Sequence, residues 1–246
     1  MLSALTDGLH VQTASCNVVV LGVTPEVVGL DWPDQVHIQA YDQSPDMIRA
    51  VWRPHPRCAS SVTQARWEEI PLRDAGACAI AGDGSLNALP RLDAYPAVLS
   101  EMHRVLVPGG RAALRCFVRP DTTESLDAIA TAVFKGQVGG ISPLKWRLAM
   151  ALAEPDSGSI AFSDVYRAFD ALFPSPDALA SATGWSHEEI ATIFPYRDSP
   201  TRLNFPTFAQ FQAACAPWFD VTHTLYGNYE LSTRCPTLVM TRRDQQ

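Results

Sequence analysis

Short apolar runs alternate with helical patterns through the first half of the chain. Five of these runs have the length and composition of buried strands, and they lie at residues 17–21, 36–41, 61–65, 77–81 and 111–118. Because parallel strands need a crossover between them, and the intervening segments can hold a helix, this alternation predicts an α/β fold with a mostly parallel sheet. A helix is predicted at residues 95–106, and the Pro-Gly-Gly at residues 108–110 is expected to turn the chain into the fifth strand.

The second half of the chain has a different character. Residues 120–205 contain a series of short helical patterns, several with a capping residue at the start, so we predict a helical insertion after the fifth strand. Residues 220–225 and 237–241 return to strand patterns. The eleven residues between them leave no room for a crossover helix, which predicts an antiparallel C-terminal hairpin. Residues 1–246 are predicted to form a single domain, with residues 120–205 as a lid within it.

Composition and charge exclude several classes of function. The net charge is −7, the pI is near 5.3, and there is no run of Lys or Arg, so the chain lacks the basic surface of a nucleic-acid binder. No apolar run approaches the length of a membrane span and residues 1–10 lack the pattern of an export signal, so we expect a cytoplasmic protein without membrane contact.

The six cysteines form no Cys-x-x-Cys pair, and no His lies at ligand spacing from them, so no metal site is expected. Cys78 and Cys116 lie inside apolar runs. They are predicted to be reduced and to act as small buried apolar residues, which suits a reducing compartment.

Two successive strand-to-helix junctions share one design. Residues 24–26 (Thr-Pro-Glu) follow the first strand and residues 44–46 (Ser-Pro-Asp) follow the second. Each junction offers a hydroxyl cap, a Pro at the first helical position and an acid in the first turn, so both helices are predicted to begin directly after their strands. In a doubly wound sheet, the crevice at the carboxyl ends of such strands binds nucleotide-like ligands.

Asp42 lies at the end of the second predicted strand, twenty positions after Gly22. A carboxylate there can accept hydrogen bonds from both ribose hydroxyls of a nucleoside, and a charge-assisted contact of this kind contributes about 1.5–3 kcal/mol. The alternative is that Asp42 only caps the helix that follows. Because Ser44 already offers that cap, we favour the binding role.

Five motifs, in this order and spacing, resemble those of class I S-adenosylmethionine-dependent methyltransferases. They are VVVLG at 18–22, YDQSPDM at 41–47, GDGSLN at 82–87, EMHRVLVPGGR at 101–111 and CPTLVM at 235–240. The resemblance covers residues 16–118 and 205–242. It implies a Rossmann-like seven-stranded sheet, S-adenosylmethionine as cofactor, S-adenosylhomocysteine as product, and a small-molecule acceptor that approaches from the insertion. The resemblance leaves open whether the chain forms a homodimer.

Carried over position by position, the resemblance implies a set of cofactor contacts. Gly22 would face the methionine part of the cofactor and Asp42 its ribose. Gln43 or Met47 would flank the adenine. Trp67 follows the third strand, at a place where the family contacts the adenine ring, and its indole would stack on that ring.

Gly82 and Asp83 follow the fourth strand, where the resemblance implies that they lie beside the sulfonium and the acceptor. Asp83 is the acid best placed to orient or deprotonate an acceptor, and it is the candidate catalytic residue. The alternative role, a turn residue in Gly-Asp-Gly, has equal weight. Methyl transfer depends on alignment and desolvation of the acceptor, so no further catalytic signature is expected.

The first motif departs from the pattern of the family. Gly22 stands alone where the family has three alternating glycines, and Val20 replaces an acid. A tight glycine turn lets the backbone approach its ligand closely, so other groups are needed to hold the amino-acid end of the cofactor. Thr24, Glu26 and the free N–H groups that open the helix are the candidates.

Two other functions compete with methyl transfer. The altered first motif is compatible with a non-catalytic protein that binds S-adenosylmethionine or a nucleotide and serves as a regulatory or interaction module. A nicotinamide-dependent oxidoreductase is disfavoured, because no Gly-x-Gly-x-x-Gly follows any predicted strand and the terminal hairpin does not suit that class.

Overall fold

A computed structural model describes residues 16–244 of the chain. The strands are β1 (Cys16–Leu21), β2 (Val36–Asp42), β3 (Ala59–Gln64), β4 (Ala77–Asp83), β5 (Leu106–Arg115), β6 (Ser159–Ala161), β7 (Arg202–Asn204), β8 (Phe219–Leu225) and β9 (Thr237–Arg242). The helices are α1 (Pro25–Val28), α2 (Pro45–Val51), α3 (Tyr95–Val105), α4 (Leu126–Phe134), α5 (Ile141–Leu152), α6 (Phe162–Leu172), α7 (Pro176–Thr183), α8 (His187–Ala191) and α9 (Phe208–Cys215).

The main sheet has seven strands in the order β3-β2-β1-β4-β5-β9-β8. Strands β1 to β5 pair in parallel, whereas β9 runs antiparallel to both β5 and β8. The predicted α/β, Rossmann-like class with an antiparallel C-terminal hairpin is therefore confirmed. The strand order reverses at β1, which makes the carboxyl end of β1 the switch point of the sheet.

The predicted turn before the fifth strand is wrong. Residues 108–110 lie inside β5, which begins at Leu106 directly after α3. The register between β4 and β5 shifts nearby, between Ala77 and Ala79. Such an irregularity accommodates a Pro that cannot donate to the ladder and Gly109, whose φ is 71°.

Alternation along β1 divides the core between the two faces of the sheet. Val19 and Leu21 pack with residues of α3 and α9, whereas Val18 and Val20 pack with residues of α1. All four side chains are at most 1% exposed, so β1 is buried on both faces. This is the pattern of a central parallel strand.

The region of residues 120–205 contains helices α4 to α8, which share an apolar core of their own. Ser175 and Ser186 cap α7 and α8 through their hydroxyls, as their sequence pattern indicates. The antiparallel pair of β6 and β7 was not predicted, because each strand has only three residues and shows no apolar alternation. The role of this region as a lid stays a prediction.

Two buried amides join the insertion to the sheet. Asn204, fully buried on β7, donates to two carbonyl oxygens of residues 86–89 at 2.9 and 2.8 Å, and its Oδ1 accepts the hydroxyl of Tyr95 at 2.7 Å. Asn87 donates to the carbonyl oxygens of Phe117 and Asn204 at 2.8 and 2.7 Å and accepts the N–H of Phe117 at 2.9 Å. The two amides together hold three segments against one another: the segment after β4, the segment after β5, and β7.

The cysteine predictions are confirmed only in part. Cys116 is free and buried, and burial raises the pKa of its thiol well above the ordinary value. Cys78 is instead joined to Cys16 by a disulfide, with the two Cα atoms 6.0 Å apart. The prediction for Cys78 is wrong because the two residues, 62 positions apart, meet where β1 and β4 begin side by side. The local pattern around Cys78 carries no sign of that pairing.

Within the described residues, none of the helices combines the length and the apolar character needed to cross a bilayer. Residues 16–244 also contain no group of three His, Cys, Asp or Glu side chains placed to hold a metal ion. The interpretation of residues 1–10 as lacking an export signal concerns a segment outside the described residues.

We expect Asn204→Ala to lower the free energy of unfolding by about 3 kcal/mol, because several buried polar groups lose their partners at once. Urea denaturation at pH 7 measures the change. Asn228→Ala is the matched control, since Asn228 lies exposed in the β8–β9 loop and should change stability by less than about 0.5 kcal/mol. Equal stability of the two variants would contradict the structural role of Asn204.

Candidate functional site

The candidate site lies at the carboxyl ends of β1 and β2. Gly22 follows β1 with a φ of 100°, a conformation that favours glycine, and its N–H donates to the carbonyl oxygen of Tyr41 at 2.8 Å. Asp42 comes directly after that carbonyl. A Cβ on Gly22 would lie 3.9 Å from Oδ2 of Asp42 and 3.8 Å from Cζ2 of Trp67. The fold therefore brings Gly22, Asp42 and Trp67 to one place.

The two carboxylate oxygens of Asp42 have different surroundings. Oδ1 accepts the N–H of Ser44 at 2.8 Å, and the hydroxyl of Ser44 in turn caps α2 by accepting the N–H of Met47 at 3.2 Å. Oδ2 lies on the side of Gly22, and no donor among residues 16–244 is hydrogen-bonded to it. Asp42 thus supports the turn and also presents one oxygen to the crevice.

Thr24 stands at the junction equivalent to Ser44 but behaves differently. It makes no side-chain cap bond with α1, so the predicted capping role is wrong for Thr24. Its hydroxyl lies 4.0 Å from the position of a Cβ on Gly22. Glu26 lies exposed in the first turn of α1. Both side chains border the space in front of Gly22, with polar atoms available to a ligand.

Two adjoining cavities open at this edge of the sheet. The first has a volume of about 510 Å³ and is lined mainly by residues at and after the ends of β1 and β4, together with residues of α2. The second has a volume of about 430 Å³ and is lined by residues that follow β2 and β3 and by residues 88–90. The residues that line both cavities, and so form the neck between them, are Asp42, Met47, Trp67 and Ala88. Volumes of this size are typical of small-molecule sites.

The residues predicted from the sequence divide between the cavities. Gly22, Thr24, Glu26 and Asp83 line the first cavity alone, and Gln43 lines the second alone. Three more, Asp42, Met47 and Trp67, line both cavities and so lie at the neck. Only Gly82, among the predicted contacts, lines neither of the two cavities.

Gly82 instead makes room for Ser85. A Cβ on Gly82 would lie 2.6 Å from Oγ of Ser85 and 3.0 Å from Cδ2 of Leu114. Ser85 folds back over Gly82 and donates its hydroxyl to the carbonyl oxygen of Leu21 at 2.7 Å, and it lines the first cavity. The glycine is therefore needed for packing, and at this point the first cavity is lined by Ser85 and not by Gly82.

Asp83 is held by Arg115 on the neighbouring strand. The two residues are partners in the register of β4 and β5, and Nε and Nη2 of Arg115 each donate to one carboxylate oxygen at 2.5 Å. Burial works against the charge of Arg115, but the hydrogen bonds and charge of Asp83 outweigh it and raise the pKa of Arg115. Nη1 of Arg115 donates to the hydroxyl of Tyr229 at 3.3 Å. The carboxylate of Asp83 is thus committed to an ion pair.

Aromatic side chains lie next to this ion pair. The guanidinium carbon of Arg115 is 5.6 Å from the centre of the Phe117 ring, and Phe117 stacks on Trp146 of the insertion with ring centres 4.9 Å apart. Gly84 has a φ of 64°, and a Cβ there would lie 2.6 Å from the Phe117 ring. A glycine is required at this point so that the ring can lie against the segment that follows β4.

A second cluster of ion pairs fastens the β8–β9 loop to the insertion. Glu124 accepts hydrogen bonds from Arg147 on α5 and from Arg234 in the loop, and the three side chains are only 11–22% exposed. Burial opposes the charge of Glu124, but the two guanidinium groups outweigh it and lower the pKa of the carboxyl group. Glu230 in the same loop accepts the N–H of Gly139 at 2.9 Å.

Sequence reasoning missed Ser85, Arg115 and Tyr229. Ser85 belongs to the GDGSLN motif, but the resemblance to methyltransferases assigns roles only to the first two residues of that motif. Arg115 lies within the predicted fifth strand, and its pairing with Asp83 follows only from the register of two strands. Tyr229 lies in the loop between β8 and β9, and its neighbours in sequence carry no signal of a contact with β5.

No protein-family model and no curated protein sequence matches the chain. Several solved structures share its fold at low sequence identity. A SAM-dependent methyltransferase from Methanosarcina mazei has a TM-score of 0.55 and 12% identity, covering 98% of both chains. A putative S-adenosylmethionine dependent methyltransferase from Listeria monocytogenes has a TM-score of 0.52 and 9% identity, covering 99% of this chain and 98% of that chain. A structure described as a putative Zn-dependent alcohol dehydrogenase from Rhodobacter sphaeroides has a TM-score of 0.56 and 11% identity, covering 97% and 88%.

Similarity at such low identity establishes the fold and nothing finer. The chain has the fold of class I S-adenosylmethionine-dependent methyltransferases, so the resemblance that the sequence motifs indicate is confirmed at that level.

We expect Glu124→Gln to lower the free energy of unfolding at pH 7 by about 2 kcal/mol, because two largely buried guanidinium groups lose their anionic partner. The pKa of Glu124 is lowered in the folded protein from its usual 4.5, so the wild type keeps this contribution above about pH 4.5 and loses it as the pH falls further. Urea unfolding at about pH 7 and at about pH 3.5 should therefore give a smaller difference at the lower pH.

Asp164→Asn is the matched control for Glu124→Gln. Asp164 pairs with Arg167 on the surface, where the arginine side chain is 74% exposed. Its loss should change stability by less than about 1 kcal/mol at either pH. A difference for Glu124→Gln that does not depend on pH would contradict the electrostatic role of its carboxylate.

Proposed function

We propose that this protein is a methyltransferase that uses S-adenosylmethionine and acts on a small molecule. The observation that carries the proposal is the meeting of Gly22 and Asp42 beside two adjoining cavities at the carboxyl edge of the sheet. Doubly wound sheets bind nucleotide-like ligands at this switch point. The fold shared with methyltransferases supports the choice of cofactor.

The residues of the two cavities fit that cofactor. The second cavity has apolar walls, including Met47 and Leu89, that suit an adenine ring. Oδ2 of Asp42 is available at the neck for the ribose hydroxyls. In the first cavity, Thr24 offers a hydroxyl for the carboxylate of the amino-acid end, and Glu26 offers a counter-charge for its ammonium group.

The bound cofactor would supply an activated methyl group, so the protein's task is to place the acceptor and exclude water from it. Asp83 lines the first cavity beside Ser85, on the side that leads to Arg115 and the insertion. Both carboxylate oxygens already accept hydrogen bonds from the guanidinium of Arg115, which holds the carboxylate in one orientation. We therefore assign Asp83 the role of orienting the acceptor and not that of a general base.

The surroundings of Asp83 suit a small organic acceptor. The ring of Phe117, which stacks on Trp146, and the hydroxyl of Tyr229 both lie next to the guanidinium that pairs with Asp83. The net charge of −7 disfavours a polyanionic acceptor such as a nucleic acid. A non-catalytic binding module would bind the cofactor equally well, so turnover against a panel of small acceptors separates the two functions.

We expect Asp42→Ala to weaken the binding of S-adenosylhomocysteine at least about tenfold, since a charge-assisted pair of hydrogen bonds to the ribose is lost. Isothermal titration calorimetry measures the affinity. Asp46→Ala is the matched control, because Asp46 lies on α2 with its side chain 84% exposed and pairs with Arg49 outside both cavities.

Two results would count against the proposal. An unchanged affinity in Asp42→Ala would remove the ribose assignment. A folded wild-type protein that binds neither S-adenosylmethionine nor S-adenosylhomocysteine, but does bind a nicotinamide dinucleotide, would replace methyl transfer with an oxidoreductase function.

A further inference from the structure

The indole of Trp67 is tethered to the point where β1 and β2 end. Its Nε1–H donates to the carbonyl oxygen of Tyr41 at 2.6 Å, and the same oxygen accepts the N–H of Gly22 at 2.8 Å. The Cζ2 atom of the ring lies 3.8 Å from the position of a Cβ on Gly22. The tether therefore holds the edge of the ring directly in front of Gly22.

Trp67 differs from the other residues at the neck between the cavities. Ala88 has a minimal side chain, and Met47 is flexible and 46% exposed. Asp42 presents only a small carboxylate, fixed by the N–H of Ser44. Trp67 alone among the four brings a large rigid ring, which is partly buried against the apolar core and hydrogen-bonded at its nitrogen.

The tethered indole of Trp67 lies beside the first motif, in which Gly22 stands alone. With a single glycine at this turn, and with Val23, Thr24 and Pro25 filling the rest of the loop, the backbone does not supply the close cradle of a glycine-rich turn. A ligand in the first cavity is instead bordered at the neck by the tethered indole.

We propose that Trp67 is a specificity-determining residue that acts as a fixed partition between the two cavities. A ligand that spans both cavities has to bend around the ring edge, with its nucleoside in the second cavity and its amino-acid chain in the first. The inference rests on the proposed function, because it takes an S-adenosyl amino acid as the spanning ligand. The tether pre-organises the bend and so favours that ligand over a nucleoside that fills one cavity.

The partition and a simple stacking surface make different predictions. A ring that only stacks on adenine contributes equally to the binding of adenosine and of S-adenosylhomocysteine, since both carry the same base. A tethered partition contributes to the spanning ligand alone. The ratio of the two affinities therefore separates the alternatives.

The test is isothermal titration of the full chain with S-adenosylhomocysteine and with adenosine. Trp67→Phe keeps an aromatic ring but loses the N–H that forms the tether. We expect it to weaken S-adenosylhomocysteine about tenfold and adenosine less than about twofold, on the scale of one lost hydrogen bond. Trp67→Tyr, which also lacks that N–H, is the second variant and should behave in the same way. Trp52→Phe, at the end of α2 and outside both cavities, should change neither affinity.

A spectroscopic readout checks that the ring stays in place. The indole N–H resonance of Trp67, assigned by its loss in Trp67→Phe, should remain protected from solvent exchange when S-adenosylhomocysteine binds. Loss of that protection on binding would show that the ring swings away from Tyr41 and would overturn the partition.

The calorimetric outcomes are separable. Equal weakening of both ligands in Trp67→Phe, or no change in either, would overturn the partition while leaving the proposed function intact. Absence of S-adenosylhomocysteine binding to the folded wild type would overturn the proposed function, and the inference with it, before any substitution is made.

Discussion

The candidate site depends on the position of β1 at the centre of the sheet. The chain builds β2 and β3 on one side of β1 and then crosses to build β4 and β5 on the other, so the carboxyl end of β1 is flanked by two strands whose loops diverge. Hydrogen bonds secure this end on both sides. Gly22 donates to Tyr41 on β2, and Ser85, beyond β4, donates to the carbonyl oxygen of Leu21. Burial on both faces leaves β1 no freedom to shift, so the groups around Gly22 have fixed positions.

A second constraint determines where the insertion lies. Asn87 and Asn204 are almost completely buried, and each satisfies its amide with groups from a different part of the chain. A buried amide without hydrogen-bond partners destabilises the folded protein. The loss of one bond in this network therefore leaves other buried groups unpaired. The segment that carries Asp83 and the segment that carries Phe117 are joined through these bonds, so the insertion and the site keep a fixed relation.

Much of the fold could be predicted because its signals are local. Buried strands are identified by apolar residues that alternate with polar ones or that follow one another without interruption. The hairpin is identified by the short segment between the last two strands. Ser44, Ser175 and Ser186 cap their helices as the pattern indicates. Thr24 does not cap α1, and the hydroxyl of Thr24 lies toward the crevice instead. Local signals fail where the decisive contact is remote, as in the disulfide of Cys16 and Cys78, the pairing of β6 with β7 and the ion pair of Asp83 with Arg115.

The departure from the glycine pattern has a physical consequence for the whole site. Where the family pattern uses backbone atoms to surround its ligand, this chain has one glycine, and side chains from other strands border the same space. A side chain can position a ligand as firmly as backbone atoms do only if hydrogen bonds already hold that side chain in the free protein. Ser85 and Trp67 are held in this way, because each donates to a backbone carbonyl oxygen. The segment after β4 is fixed in the same way, because both carboxylate oxygens of Asp83 accept hydrogen bonds from Arg115 on the neighbouring strand.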